Sequence, residues 1–243
     1  MPPRLYIDQP LASGSTLSLP PGPARHVQVL RLQPGEALTL FDGLGGEWSA
    51  TVVRMGRSEV QVAVGVHDGV DREPPCRVTL AIGMPANERM DALIEKATEL
   101  GVAVVQPLIC ERSVLRLAGE RALKKVEHWR AVAIAASEQS GRTRVPHIAE
   151  VLTLPTWLAA PSPDRSVRRV VLSLRDAAPF ATEPPAAAVC FLSGPEGGLS
   201  AAEEAMARQA GFSPVSLGPR VLRADTAAVA AVALWQAAAG DWR

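Results

Sequence analysis

The sequence predicts an α/β protein whose main domain has a mostly parallel sheet, preceded by a smaller domain rich in β-strands. Up to about Val66, short segments alternate apolar and polar residues and are separated by glycine turns, a pattern typical of half-buried strands. After Cys76 the pattern changes to unbroken apolar runs of strand length that alternate with segments of helical periodicity. With 243 residues, 47% of them apolar, the chain is long enough to bury a sizeable core.

The N-terminal part contains the alternating strands and one helix. Strands are predicted at residues 38–43, 47–56 and 58–66. A helix is predicted within residues 24–35, and it ends before Pro34 because the residue that precedes a proline avoids helical geometry. The polar stretch 67–76 contains two adjacent prolines near its end, which is the composition of a linker. We therefore predict two domains, residues 1–72 and residues 73–243.

The C-terminal part contains the apolar strands and four helices. Strands are predicted at residues 77–84, 102–109, 168–175, 187–194 and 214–218, and helices at about residues 88–100, 120–138, 200–211 and 225–240. Gly101 is suited to end the first of these helices, and Ser200 with Glu203 matches a capping box that begins the third. The last helix is apolar almost all round, so we expect it to be buried in the core or against a second subunit.

Charge and cysteine content exclude several classes of protein. The 25 basic and 25 acidic residues cancel, so a polyanion would have to be bound by a local patch. The three cysteines, Cys76, Cys110 and Cys190, fit no zinc or redox spacing, and we expect them to be reduced core residues of a cytoplasmic protein. The N-terminus lacks the apolar core of a signal sequence, and the most apolar stretch, residues 227–239, is too short for a membrane span. We therefore expect neither a metal nor a membrane as a partner.

Two glycine-bearing loops, LSGPEGGLS (residues 192–200) and LGPRVLRADT (residues 217–226), are the strongest functional signal. Each follows a predicted strand, and ligands of open α/β sheets bind at the carboxyl ends of the strands. Exposed backbone amides, and the missing side chains of glycine, let a ligand approach the main chain closely. Phosphate-loop, dinucleotide-binding, serine-hydrolase and zinc-protease motifs are absent from the sequence. The two loops are therefore predicted to wall one pocket, although GPEGG by itself would also suit an ordinary tight turn.

Further motifs accompany these loops in a characteristic order along the chain. They are the stretch 26–35, KATELGV (residues 96–102), ERS (residues 111–113) and EQSGRTRVP (residues 138–146). Together with the loops they resemble the RsmE family of 16S ribosomal RNA uridine N3-methyltransferases, of the SPOUT superfamily. The resemblance implies an N-terminal PUA-like β-barrel that binds RNA and a C-terminal SPOUT methyltransferase domain, an α/β domain tied in a trefoil knot. It also implies S-adenosylmethionine as the cofactor, 16S rRNA of the small ribosomal subunit as the substrate, and a homodimer as the assembly.

The resemblance carries cofactor binding over to residues of both loops. In the first loop these residues are Gly194, Glu196, Gly197 and Gly198. In the second loop they are Leu217, Gly218, Val221, Leu222 and Thr226. Leu174, at the end of its strand, is expected to complete the pocket. The chain departs from the family pattern at RADT (residues 223–226), where RTET is usual, and at Arg175 and Asp176, where a His-Pro pair is usual.

Methylation at uridine N3 requires removal of the proton that this nitrogen carries. Neither loop contains a histidine that could act as the base. We therefore assign Arg220 and Arg223 to stabilising negative charge on the uracil oxygens, and Asp225 or Glu196 to accepting or relaying the proton. The alternative is that Arg223 and Asp225 pair with each other and cap the last helix.

A local basic patch is predicted between residues 111 and 144, where eight arginine and lysine residues stand against four glutamates. The forked guanidinium of arginine suits phosphate, so we assign Arg112, Arg142 and Arg144 to RNA binding. In the first domain the assigned RNA-binding residues are Arg25, His26 and Arg31. The alternative is that the charges form a solvated helix face and that His26 has a structural role.

Two other functions are compatible with the same loops. One is a non-enzymatic RNA-binding or ribosome-assembly protein that keeps the scaffold without turnover. The other is a nucleotide-using α/β enzyme whose glycine loops cradle a phosphate. Binding of S-adenosylmethionine without a metal would favour the methyltransferase, whereas a phosphate-cradling enzyme should prefer a nucleotide with Mg²⁺.

Overall fold

The computed structural model describes residues 2–57, 59–160, 166–180 and 186–242. Its contacts divide the chain into two compact units. The first unit comprises residues 1–73 together with residues 134–145, and the second comprises residues 74–133 and 146–243. The first unit therefore consists of two stretches that lie far apart in the sequence.

The first unit is built on a five-stranded sheet. Its strands are β1 (Arg4–Tyr6), β2 (Thr16–Ser18), β3 (Ala37–Phe41), β4 (Glu47–Met55) and β5 (Val60–Asp68), in the order β1-β3-β4-β5-β2. Neighbouring strands are antiparallel except β1 and β3, which are parallel. Alternate residues such as Val60, Val62 and Val64 face the apolar core, because successive side chains of a strand point to opposite faces. Ser58, the predicted start of β5, lies outside the described residues.

Helix α1 (Pro21–Val29) is displaced towards the N-terminus relative to the predicted span of residues 24–35. Pro21 occupies the first helical position, where its fixed backbone torsion suits the helix and no amide hydrogen is needed. The helix ends because Arg31 adopts a left-handed conformation with φ of 56°, and its N–H donates back to Gln28 O at 3.0 Å. The helix therefore stops before Pro34, as expected, but Arg31 rather than the proline ends it.

The second unit contains the predicted parallel sheet. Its described strands are β6 (Arg77–Gly83), β7 (Val104–Ile109), β8 (His147–Ile148), β9 (Leu152–Thr153), β10 (Arg168–Leu172), β11 (Ala178–Pro179), β12 (Ala188–Ser193) and β13 (Ser213–Ser216). They follow the order β11-β13-β10-β12-β6-β7-β8, and β9 also pairs with β7. Every strand pair in the described part of this sheet is parallel. The unbroken apolar runs are explained by burial, as at Leu80, Val170 and Phe191.

Helices account for much of the remaining described chain. They are α2 (Asn87–Glu99), α3 (Gly119–Ser140), α4 (Leu154–Ala159), α5 (Ala201–Gln209) and α6 (Ala224–Ala239). Four of them lie close to the predicted positions, whereas α4 is not predicted. Gly101 has φ of 80° just after α2, as a residue at a helix end requires. The capping box at the start of α5 is confirmed, because Ser200 and Glu203 each accept a hydrogen bond from the other's main-chain N–H.

Helix α6 packs beside α2 and against strands β6 and β12. On its buried side, Trp235 donates its indole N–H to Cys76 Sγ at 2.8 Å and meets the ring of Phe191 edge to face. On another side, Leu234 is 46% exposed. The apolar composition of α6 is thus explained by core burial on part of its surface. All three cysteines are free and buried, as predicted.

Candidate functional site

A cleft of about 290 Å³ opens at the carboxyl ends of β10, β12 and β13. These strands are neighbours in the sheet, in the order β13-β10-β12, although they are separated in the chain. The cleft is lined by residues 172–175 and 193–199, by Leu217 and residues 220–222, and by Arg112, Glu204, Val215, Ala224 and Ala227. The two glycine-bearing loops therefore wall one cleft, which confirms the prediction on which the functional interpretation depends.

Residues 194–200 of the first loop form a tight turn that contains three glycines. A Cβ atom at Gly194 would lie 2.7 Å from Leu199 N, and one at Gly197 would lie 2.9 Å from Arg112 Cβ. Gly198 has φ of 67°, and its N–H donates to Pro195 O at 2.8 Å. Glycine is required at these positions because the main chain approaches its neighbours closely and adopts a left-handed conformation.

Contacts from outside the loop hold its backbone in place. Glu196 Oε1 accepts a hydrogen bond from the N–H of Ala86, the residue that precedes α2, at 2.8 Å. Arg112 Nη1 donates to Gly197 O at 2.9 Å. The carboxylate of Glu196 is therefore already engaged at the beginning of a helix, although Glu196 also lines the cleft.

In the second loop, residues 217–223 have fewer buried side chains than residues 194–200 of the first loop. It begins with a local turn in which Ser216 Oγ accepts from Gly218 N–H at 3.2 Å, and Gly218 has φ of 109°. Val221 is 84% exposed, and Arg220 is also exposed although it lines the cleft. This loop therefore presents side chains that an incoming ligand can cover.

Most of the predicted cofactor residues line the cleft. They are Leu174, Gly194, Glu196, Gly197, Gly198, Leu217, Val221 and Leu222. Gly218 and Thr226 do not line it, although each is next to a residue that does. Of the three residues assigned to chemistry, Arg220 lines the cleft, whereas Arg223 and Asp225 do not.

Asp225 lies in the first turn of α6, and Arg223 is the residue that precedes the helix. Among the described residues, no side chain caps this helix by a hydrogen bond, so a cap made by Arg223 and Asp225, the expected alternative, is not observed there. Asp225 Oδ1 is buried and has no hydrogen-bond partner among the described residues. A buried carboxylate oxygen without a donor is costly, which makes this atom a candidate for contact with a ligand.

Sequence reasoning missed several residues of the cleft. Arg112 was assigned only to RNA, and Ser173 and Glu204 were not assigned at all. Ser173 Oγ lies 3.3 Å from Glu204 Oε1 and accepts a hydrogen bond from Arg175 N–H. The sequence could have indicated that Glu204 lines the cleft, because this residue lies in the first turn of the helix that follows the first loop. Arg112 belongs to the ERS motif (residues 111–113), but the sequence did not show that it reaches the cleft from the segment after β7.

The basic residues assigned to RNA differ in accessibility. Arg25, His26, Arg31, Arg112 and Arg144 are exposed. Arg142 is only 4% exposed: its Nε donates to Glu73 Oε1 at 3.0 Å, its Nη2 contacts Glu73 Oε2, and its carbonyl oxygen accepts from Arg4. The expectation that Arg142 is a surface cation available to phosphate was therefore wrong.

His26 lies beside a partly buried carboxylate in the first unit. Its Nδ1 is 3.7 Å from Glu138 Oε2, while Glu138 Oε1 accepts the main-chain N–H of Tyr6 at 2.9 Å. Burial raises the pKa of Glu138, and the N–H of Tyr6 and the nearby charges of His26 and Arg4 only partly oppose this. The imidazole is nevertheless exposed and can contact a ligand.

Burial makes the thiols of Cys110 and Cys190 harder to ionise. Burial, with the charge of Glu203 as a smaller cause, raises the pKa of Cys110 to about 12, and burial raises that of Cys190 to about 12. Among the described residues, no group of three or more histidine, cysteine, aspartate or glutamate side chains is placed to hold a metal ion. None of the described helices has the length and hydropathy needed to cross a membrane.

Two protein families match the chain. Residues 72–236 match the family described as RNA methyltransferase domain, and residues 24–65 match the RNA methyltransferase PUA domain. The ribosomal RNA small subunit methyltransferase E of Synechocystis sp. is 33% identical over an alignment that covers 95% of this chain and 76% of that protein.

Two solved structures are similar over nearly the whole length. The crystal structure of a ribosomal RNA small subunit methyltransferase E from Neisseria gonorrhoeae, bound to S-adenosyl methionine, has a TM-score of 0.95 and 36% identity, with 100% of both chains covered. A putative methyltransferase from Legionella pneumophila, in complex with bound SAM, has a TM-score of 0.94 and 35% identity, with 99% of both chains covered. These similarities confirm the predicted class of fold, a parallel α/β domain with a separate N-terminal β domain.

Proposed function

The chain belongs to the ribosomal RNA small subunit methyltransferase E family, and on that premise we propose that it transfers the methyl group of S-adenosylmethionine to N3 of a uridine in 16S ribosomal RNA. The observation that carries the proposal is the single cleft that the two glycine-bearing loops form at the carboxyl ends of neighbouring strands. The similar Neisseria structure has S-adenosyl methionine bound.

The residues of the cleft fit this ligand chemically. Leu174, Leu217 and Leu222 offer apolar walls for an adenine ring, and the backbone of the first loop offers donors and acceptors for its edge. The amino-acid part of S-adenosylmethionine carries an ammonium and a carboxylate, which Glu204 and Arg112 complement in charge. We therefore propose that all ten residues predicted from the family resemblance bind S-adenosylmethionine. Gly218 contributes through the backbone turn that its positive φ allows, and Thr226 through the first turn of α6.

When bound, S-adenosylmethionine supplies a methyl group that its sulfonium has already activated, so the protein has to generate and orient the uracil nucleophile. Arg220 is the proposed electrostatic catalyst, because its exposed guanidinium lines the cleft and suits charge developing on the uracil oxygens. Arg223, next along the chain from Leu222, is proposed to assist it.

Asp225 is the proposed proton acceptor. Its buried Oδ1 has no hydrogen-bond partner among the described residues, so it can receive a proton without breaking an existing bond. Glu196 is a weaker candidate, because its Oε1 already accepts the N–H of Ala86. The shortening from the usual glutamate to Asp225 changes the reach of the carboxylate but keeps its charge.

RNA is proposed to contact exposed basic residues of both units. They are Arg25, His26, Arg31 and Arg144 in the first unit and Arg112 in the second. We propose that residues 1–72 act as the PUA-like RNA-binding domain and residues 73–243 as the methyltransferase domain. We further propose a cytoplasmic homodimer that uses the exposed side of α6, where Leu234 lies, together with Trp242. Sedimentation at micromolar concentration tests the dimer, and a monomer would refute it.

Calorimetry and a transfer assay test the proposed function. S-adenosylmethionine should bind without a metal, and a labelled methyl group should pass to N3 of uridine in 16S rRNA, offered either as naked RNA or as assembled small subunits. Preference for a nucleotide with Mg²⁺ would instead identify a phosphate-cradling enzyme. Cofactor binding without transfer to either substrate would identify a scaffold that has lost turnover.

A further inference from the structure

One buried carboxylate joins the first loop to a distant segment of the second unit. Glu203, in the first turn of α5, is 4% exposed. Its Oε2 accepts the N–H of Ser200 at 2.9 Å. Its Oε1 accepts the N–H of Glu111, 92 positions away in the sequence, at 2.7 Å. Both oxygens are thus occupied by main-chain donors, each from a different segment.

The segment that begins at Glu111 is a compact turn after β7. Ser113 Oγ accepts the N–H of Cys110 at 2.9 Å, and Ser113 N–H donates to Cys110 O at 3.1 Å. Arg116 Nη2 donates to Glu111 O at 2.9 Å. These internal bonds fix the conformation of the turn, so a bond at Glu111 also positions the adjacent Arg112.

Arg112 carries this restraint to the wall of the cleft. Its Nη1 donates to Gly197 O at 2.9 Å, and its stem lies against the main chain where a Cβ of Gly197 would be. It also lines the cleft itself. Two contacts therefore link the turn to the first loop, one at Ser200 through Glu203 and one at Gly197 through Arg112.

We propose that Glu203 is a positioning residue for methyl transfer, which holds Arg112 and the backbone of residues 194–200 in the arrangement that binds S-adenosylmethionine. The proposal rests on the function proposed above. Helix capping does not account for it, because the capping box uses only the Ser200 contact, whereas the bond to Glu111 adds nothing to the helix. Loss of either acceptor oxygen would leave a main-chain N–H without its partner.

The variant Glu203→Gln tests the proposal with little change in shape. An amide has one acceptor oxygen, so its NH₂ group must face one of the two main-chain donors. We expect the Kd of S-adenosylmethionine to rise about tenfold, the equivalent of one lost hydrogen bond to a charged group. The matched control is Thr153→Ala, which removes the side-chain cap of α4 in the same unit. It should lower the melting temperature without changing cofactor affinity.

A double-mutant cycle with Arg112→Ala distinguishes positioning from a general loss of stability. If Glu203 acts through the turn, Glu203→Gln should weaken cofactor binding less in the Arg112→Ala background than in the wild type. Additive effects, or an unchanged Kd in Glu203→Gln, would overturn the proposal. Should Glu203→Gln fail to fold, Glu203→Asp gives the same comparison, because it keeps the charge at the helix terminus but is too short for both bonds. A wild-type protein that does not bind S-adenosylmethionine would refute the proposed function instead.

Discussion

Side chains around the cleft differ in how far the protein already engages their polar atoms. Three charged side chains, those of Glu196, Arg112 and Glu203, form hydrogen bonds with the main chain of another segment. Their main effect is therefore to hold the first loop in place. Arg220 instead extends from an exposed loop into the lining of the cleft. On this contrast we propose that the first three residues shape the loop and that Arg220 takes part in the chemistry, although all of them are charged.

Replacement of Arg220 by alanine tests that distinction. We expect Arg220→Ala to lower the kcat of methyl transfer about 100-fold, the usual effect of removing one group that stabilises developing negative charge. The Kd of S-adenosylmethionine, measured by calorimetry, should not change. Arg77→Ala removes another exposed arginine of the same unit and serves as the control. Normal turnover in Arg220→Ala would remove this residue from the mechanism.

Among the elements, α3 carries a partly buried carboxyl group that affects stability. Its Glu138 accepts the N–H of Tyr6, and burial raises the pKa of this carboxyl above its ordinary value of 4.5. A group whose pKa is raised on folding stabilises the native state below the unfolded value, and this contribution is lost as the pH rises through the folded value. Glu138 therefore disfavours the folded state progressively above pH 4.5.

The variant Glu138→Gln should remove this pH dependence. Glutamine keeps an acceptor oxygen for the N–H of Tyr6 but carries no charge, so the variant should gain stability relative to the wild type as the pH rises from about 4.5 to 7. Denaturant unfolding across that range measures the difference. Glu127→Gln, on the exposed surface of the same helix, is the charge-matched control. A constant difference between Glu138→Gln and the wild type at every pH would contradict the account.

The chain as a whole has no net charge, so its affinity for RNA has to come from local cations. Arg144 is an exposed cation, whereas Arg142 is held by Glu73. We therefore expect Arg144→Ala to reduce the salt dependence of RNA binding by about one unit of slope in log K against log salt.

Arg142→Ala should behave in the opposite way. The salt dependence of RNA binding should not change, whereas the free energy of unfolding should fall by about 3 kcal/mol, because Glu73 loses the guanidinium that pairs with it. Binding titrations at several salt concentrations and denaturant unfolding measure the two effects. Equal salt slopes for Arg144→Ala and the wild type would show that Arg144 does not contact phosphate.

Local patterns were enough to predict most of the elements. The positions of α2, α5, α6 and the parallel strands follow from apolar periodicity and capping residues, because these signals depend on neighbours within a few residues. Local reasoning misplaced α1, where Arg31 rather than Pro34 marks the end. It also missed α4 and the two-residue strands, which are too short to show a period. The trefoil knot stays a prediction from the family resemblance.

The sequence by itself was enough to identify the two glycine-bearing loops, because glycines, apolar strand ends and helix caps are recognised from adjacent residues. Which other side chains join those loops could not. Arg112 and Glu204 reach the cleft, and Glu73 removes Arg142 from the surface, through contacts between segments that are distant in the sequence. The order β13-β10-β12 brings the two loops together, and long-range strand pairing and burial, rather than local preference, determine that order.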